Sequence, residues 1–115
     1  MDLVVQVYEM TRALPEDERF GLTSQMRRSA VSIPSNIAEG FGRESSGDFG
    51  RFLRMAQGSL KELETQCLVS QRLTLLADRD TASTLETCDE IGRMLRGLIT
   101  KVRDDRRTTT DDRRP

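Results

Sequence analysis

Few residues in this sequence could do chemistry, and their types exclude most catalytic mechanisms. The 115-residue chain contains no histidine, and its two cysteines, Cys67 and Cys88, do not form a CxxC pair. Zinc sites and disulfide frameworks require more ligands or a different spacing. General acid–base catalysis most often uses histidine, and a di-iron carboxylate bundle requires paired Glu-x-x-His motifs. The sequence therefore predicts a protein that is not an enzyme, with no metal, cofactor or small-molecule substrate.

The two cysteines allow one further chemistry, which is thiol oxidation. Cys67 and Cys88 lie at nearly equal distances from the turn at Asp78, so in adjacent helices their levels differ by about 3 Å. A redox switch is one interpretation of this placement. Inert packing of buried thiols is the simpler one, because reactive cysteines need exposure and a lowered pKa.

Arginine side chains are the second candidate chemistry, because guanidinium groups bind phosphate. In the fourth helical segment the basic residues are Arg93, Arg96, Lys101, Arg103, Arg106 and Arg107. In the second and third segments they are Arg27, Arg28, Arg43, Arg51 and Arg54. The net charge of −1 means that nucleic-acid contact must come from a local patch. The predicted contacts are Arg93, Arg96 and Arg103. The alternative is that these cations complement a helix dipole and form ion pairs four residues apart, as Asp89 and Arg93 would.

A stripe of small polar side chains runs beside the apolar face of the second helical segment. It consists of Gln25, Ser29, Ser32, Asn36, Glu39 and Arg43. This stripe is either a solvated face or a polar seam against the third helix or a neighbouring subunit, since Ser and Asn permit close backbone approach. The register of an antiparallel hairpin places Glu39 level with Arg51 and Arg54, which predicts an ion pair between Glu39 and one of these arginines.

The elements that position these residues follow from apolar side chains recurring every three or four residues. The pattern predicts an all-α, antiparallel up-down-up-down four-helix bundle, with helices over residues 2–13, 23–41, 45–76 and 80–104 and the third helix the longest. Thr23 or Ser24, Ser45, and Asp80 or Thr81 are the expected N-caps.

Three expectations concern the ends and interruptions of these elements. Pro34 should bend the second helix without breaking it, and Gly40 and Gly42 should end that helix rather than form a nucleotide loop. The bundle domain should span residues 1–104, followed by a frayed or disordered polar tail over 105–115. No apolar run approaches the roughly twenty residues that span a bilayer, and no signal peptide is evident, so a cytoplasmic location is expected.

Several runs carry a family resemblance. They are Tyr8-Glu9-Met10-Thr11, Leu14-Pro15, Gly21 to Arg43 with its core Ser32-Ile33-Pro34-Ser35-Asn36-Ile37-Ala38-Glu39-Gly40, and Gly58-Ser59-Leu60. The chain resembles, over roughly residues 3–103, the bacterial four-helix bundle family first noticed in proteins encoded within intervening sequences of 23S ribosomal RNA genes. The candidate site residues of the family motif and the polar seam are Ser32, Pro34, Asn36, Glu39 and Gly40, together with Arg51 and Arg54, which the hairpin register places opposite them.

The resemblance implies a ring-shaped homopentamer and kinship with accessory proteins of diversity-generating retroelements, which bind nucleic acid and a reverse transcriptase. This chain departs from the family in two ways. Relatives carry an aromatic-containing segment before the position of Leu3, which implies a shortened first helix or a misassigned start in this chain. The nucleic-acid-binding relatives are strongly basic, whereas this chain has a net charge of −1. The expected function is a self-assembling accessory module for RNA or an RNA–protein complex. The alternative is a structural or protein-binding adaptor that does not contact nucleic acid.

Overall fold

The structure is a computed structural model that describes the backbone of residues 2–112 and the side chains of residues 2–105. Its helices are α1 (Asp2–Thr11), α2 (Leu22–Phe41), α3 (Ser46–Arg72) and α4 (Asp78–Asp112), with a 3₁₀ turn at Glu16–Glu18. Within these described residues there is no β-strand. The prediction of an all-α, antiparallel up-down-up-down bundle is confirmed.

The four helices pack as a closed ring around one apolar core. Each helix contacts its neighbour in sequence, and α1 also contacts α4. The fully buried Val7, Met26, Leu63 and Leu95 each come from a different helix. Burying one such side chain contributes about 1.5–3 kcal/mol, so this core provides the main force that assembles the helices. Because α1 has 10 residues and α4 has 35, α1 covers only one end of the bundle.

The starts of α2, α3 and α4 test the predicted caps. The prediction for α4 was wrong, because that helix begins at Asp78 and both Asp80 and Thr81 lie inside it. The Ser45 side chain accepts a hydrogen bond from the backbone N–H of Asp48 at 3.1 Å, as predicted for the start of α3. At the start of α2 the prediction was wrong, because Glu18 Oε2 accepts from the N–H of Leu22 at 3.2 Å and the helix begins before Thr23. A carboxylate in the preceding 3₁₀ turn thus takes the role expected of a hydroxyl within the sequence of α2.

The third helix ends at Arg72, four residues before the predicted end. Contrary to the prediction, α4 is the longest helix, because it has 35 residues and α3 has 27. Thr74 adopts the left-handed conformation with φ 57°. The N–H of Leu75 bonds the carbonyl of Ser70 at 2.9 Å, and the N–H of Thr74 bonds that of Gln71. This is the Schellman arrangement, which ends a helix through backbone geometry and usually contains glycine.

Gly40 does not end α2, contrary to the prediction. It lies inside the helix and is buried, and a Cβ atom there would lie 2.9 Å from Phe49 Cδ1 and 3.0 Å from Phe52 Cβ. Its role is to let α3 approach the backbone of α2 closely. Gly42 is the C-cap, in a right-handed conformation, and α2 is unbroken at Pro34.

The fourth helix continues past the predicted bundle boundary at residue 104. Its backbone is helical through Asp112, and no Gly or Pro interrupts residues 105–112. Residues 113–115 lie outside the described part of the chain, and the frayed polar tail stays a prediction. Within residues 2–112, no helix combines the length and apolarity needed to cross a membrane.

Candidate nucleic-acid interface

A hydrogen bond between two serines joins α2 to α3 along the polar stripe. The Oγ atoms of Ser32 and Ser59 lie 2.7 Å apart. Asn36 Nδ2 donates to the carbonyl oxygen of Ser32 at 2.8 Å and to its Oγ at 3.0 Å. Ser32 therefore forms the cross-helix contact expected of a polar seam, whereas Asn36 supports Ser32 from within α2.

The polar seam borders an open groove between α2 and α3 with a volume of about 490 Å³. We call this the polar groove; its lining residues are Gln25, Arg28, Ser29, Ser32, Ser59, Glu62 and Gln66. The Oε1 atom of Gln66 is buried and lacks a hydrogen-bond partner among the described residues. A buried acceptor without a partner is costly, so the Gln66 side chain carries an unfavourable desolvation term in this structure.

Glu39 does not pair with α3, contrary to the prediction. Its Oε1 lies 2.7 Å from Arg43 Nη2, one turn along the same helix, and both side chains are about half exposed. Arg51 instead lies 4.0 Å from Asp48. The guanidinium groups of Arg43 and Arg51 lie 5.0 Å and 4.8 Å from the ring centre of Phe52. Glu39 pairs with a residue one turn away in its own helix because such a pair does not depend on how α2 is rotated relative to α3.

The arginines predicted to contact nucleic acid on α4 do not form one cluster. Arg93 pairs with Asp89 at 3.0 Å, which is the ion pair that the alternative interpretation expected. Arg96 is exposed on the same helix. Arg103 lies about 15 Å from Arg93 along the axis of α4. It shares a pocket of about 50 Å³ with Arg54 and the first turn of α3. Two guanidinium groups at a helix N-terminus make that corner positive.

A second groove, between α1 and α2, combines arginines with exposed aromatic rings. Its volume is about 640 Å³, and it is lined by Tyr8, Arg19, Phe20, Thr23, Ser24, Arg27, Arg28, Val31 and Ser32. The Arg27 guanidinium lies 4.5 Å from the Tyr8 ring centre, and its Nε donates to Thr11 Oγ1 at 2.9 Å. The Arg19 guanidinium lies 4.8 Å from the ring centre of Phe20. We call this the stacking groove.

Arg27 and Arg28 were predicted as basic residues, but the aromatic rings beside them were not predicted. Phe20 is 84% exposed. The signal that could have revealed it is an aromatic residue in a charged turn, outside the three-to-four spacing of the core side chains. Tyr8, in α1, is 40% exposed.

The two cysteines are buried, free thiols. Burial, with a smaller contribution from the charge of Glu64, raises the pKa of Cys67 to about 11. Burial, then Cys67 and then Glu64, raises the pKa of Cys88 to about 12, against a lowering effect of Lys61. At neutral pH both thiols are protonated and therefore poor nucleophiles. Among the described residues, no group of three His, Cys, Asp or Glu side chains could hold a metal ion.

This architecture and surface define an antiparallel four-helix bundle with an arginine-rich groove and a serine-rich groove. The chain belongs to the 23S rRNA-intervening sequence protein family, whose model matches residues 1–97. Its fold is similar to the crystal structure of a protein of unknown function from the S23 ribosomal protein family of Bacteroides thetaiotaomicron. The TM-score is 0.79 at 24% sequence identity, over 86% of this chain and 89% of that chain. At this identity the likeness shows the fold alone. No curated protein matches the chain.

Proposed function

We propose that this chain is a non-enzymatic, self-assembling accessory module that binds structured RNA or an RNA–protein complex. The observation that carries the proposal is a set of arginines without acidic partners among the described side chains. Arg27 bonds a hydroxyl and a carbonyl, and Arg28 bonds the hydroxyl of Ser24 at 3.3 Å. Arg54 and Arg103 face one another across a small pocket. Guanidinium groups that are not neutralised by carboxylates are available to phosphate oxygens.

Self-assembly, as a homopentamer, is the second part of the proposal. It is supported by apolar side chains left in water near the end of α3, where Leu68 is 51% exposed and Leu73 is 59% exposed, with Val69 beside them. Such side chains favour burial against another subunit. A ring would repeat each modest arginine patch around its axis, so weak single contacts would add up to useful affinity.

The same exposed apolar side chains also favour the alternative function, a protein-binding adaptor that never touches nucleic acid. The two functions differ in how binding responds to salt. Each phosphate contact releases counterions, so affinity for RNA falls by roughly 0.7–0.9 log unit per neutralised phosphate per log unit of salt. A protein interface that is mainly apolar has no such steep dependence.

The test combines solution mass with RNA titration on one sample. Light scattering should give about five times the 13.0 kDa mass of one chain, and binding of a labelled structured RNA should weaken steeply between two salt concentrations. A pentamer that does not bind RNA would favour the adaptor. A monomer that ignores RNA would contradict both parts of the proposal.

A further inference from the structure

Resting on the proposed nucleic-acid-binding function, we infer that the stacking groove is the binding site and that its ligand is an unpaired stretch of nucleic acid. In this arrangement a base stacks on the free face of Phe20. The neighbouring phosphates lie against Arg27 and Arg28.

The exposure of Phe20 is the first argument. A phenylalanine that is 84% exposed contributes little to the core, and it stands in the turn between the 3₁₀ segment and α2. The Arg19 guanidinium lies over this ring at 4.8 Å. A planar cation on one face leaves the opposite face available to another flat group, and bases stack on aromatic rings independently of their sequence.

The charges around the groove are the second argument. Two carboxylates beside the stacking groove are engaged, because Glu16 lies 3.5 Å from Arg19 and Glu18 caps the start of α2. Glu62 lies on the far side of Arg28, in the lining of the polar groove. Arg27 is held in place by Tyr8 and Thr11. Arg28 is exposed, and its guanidinium donates to the hydroxyl of Ser24. Two guanidinium groups that form no ion pair with a described carboxylate therefore stand beside the aromatic platform.

The continuity of the two grooves is the third argument. The stacking groove and the polar groove share Arg28 and Ser32 as lining residues. A strand that leaves Phe20 and passes over Arg28 enters a groove whose lining includes the amide side chains of Gln25 and Gln66, together with Glu62. Amide groups pair with the Watson–Crick edges of bases, which are accessible only when the bases are unpaired.

The exposed phenyl group of Phe20 also distinguishes unpaired strands from duplexes. Inside a duplex both faces of each base are covered by neighbouring bases, so an exposed phenylalanine has nothing to stack on except at a duplex end. We therefore expect single-stranded oligonucleotides to bind this groove more tightly than duplexes of the same length. RNA and DNA share the required base faces and phosphates, and only contacts to the 2′-hydroxyl would separate them.

The experiment measures fluorescence anisotropy of the full chain with labelled oligouridine, oligothymidine and a duplex. Phe20→Ala should weaken binding of oligouridine by about 5- to 140-fold, the range expected for the loss of one base stack. Phe20→Trp should restore it. Met94→Ala is the matched control, since Met94 is 66% exposed on α4 and lies outside both grooves; its affinity should equal that of wild type. Tighter binding of oligouridine than of oligothymidine would assign RNA as the ligand, and equal binding would assign unpaired strands of either kind.

Failure of this inference is distinct from failure of the proposed function. If wild type binds oligouridine and Phe20→Ala binds it equally well, the stacking groove is not the site, although the nucleic-acid function stands. If wild type binds only the duplex, the ligand class is wrong. If wild type binds the labelled structured RNA but none of these oligonucleotides, the inference fails and the proposed function stands; if it binds none of the four, the proposed function itself fails. Circular dichroism of Phe20→Ala should match wild type, because the ring lies outside the core.

Discussion

The sharpest structural prediction concerns the glycine where α2 and α3 meet. Replacing Gly40 with Ala adds a methyl carbon 2.9 Å from Phe49 Cδ1 and 3.0 Å from Phe52 Cβ. Carbon atoms in contact prefer separations of about 3.5–4.0 Å, so the approach is too close by roughly 0.5–1 Å. The Cβ of Phe52 is attached directly to the backbone, so it cannot rotate away. Relief requires the two helices to move apart.

The expected magnitude is the balance of two opposed effects. Overpacking a core contact costs about 1–3 kcal/mol. Replacing a glycine inside a helix with alanine gains about 0.5–1 kcal/mol. Gly40→Ala should therefore lower the free energy of unfolding by about 0–2.5 kcal/mol. A loss near the middle of this range lowers the melting temperature by several degrees in a domain of this size.

Gly58→Ala is the matched control for this prediction. Gly58 is also inside a helix, but it is exposed, and an added Cβ there has no atom within 4 Å. This variant should gain only the higher helix propensity of alanine. Its free energy of unfolding should therefore exceed that of wild type by about 0.5–1 kcal/mol. Urea unfolding followed by far-UV circular dichroism, at one fixed protein concentration, measures both variants. The reasoning is refuted if Gly40→Ala is as stable as Gly58→Ala.

Three further predictions follow from the contacts inside the bundle. Burial raises the pKa of Cys67 from 9.0 to about 11 and that of Cys88 from 9.0 to about 12. The contribution of the two thiols to stability is therefore complete below pH 9.0 and is lost as the pH rises toward these folded-state values. Urea midpoints measured across this pH range should decline less in a Cys88→Ala variant than in wild type. Ser32→Ala and Ser59→Ala should each lower the free energy of unfolding by about 1 kcal/mol. In a urea double-mutant cycle the double variant should lose less than the sum of the two single losses. Strict additivity would show that the 2.7 Å hydrogen bond between the two hydroxyls contributes nothing. Glu39→Ala should unfold within about 0.5 kcal/mol of wild type because its ion pair is exposed; a larger loss in the same assay would reveal a partner for Glu39 outside this chain.

The local sequence was sufficient to predict the four helices and their antiparallel order. Apolar residues at three-to-four spacing specify which face of a helix is buried, and short turns between helices leave one arrangement of neighbours. The cap at Ser45 was predictable for the same reason, since its bond reaches only three residues along the chain. The predicted boundary at the end of α3 was wrong because Thr74 adopts a left-handed conformation that its residue type disfavours.

Tertiary structure decided which side chains meet across the bundle. The register of an antiparallel hairpin placed Glu39 level with the arginines of α3, but Glu39 pairs with Arg43, four residues along its own helix. The contact between Ser32 and Ser59, by contrast, depends on how α2 and α3 are rotated against each other. The close approach at Gly40 and the aromatic platform at Phe20 also depend on how segments distant in the sequence come together. Periodicity determines the apolar face of a helix to within a turn, whereas a hydrogen bond or a steric contact depends on separations of a few tenths of an ångström that only the packed structure determines.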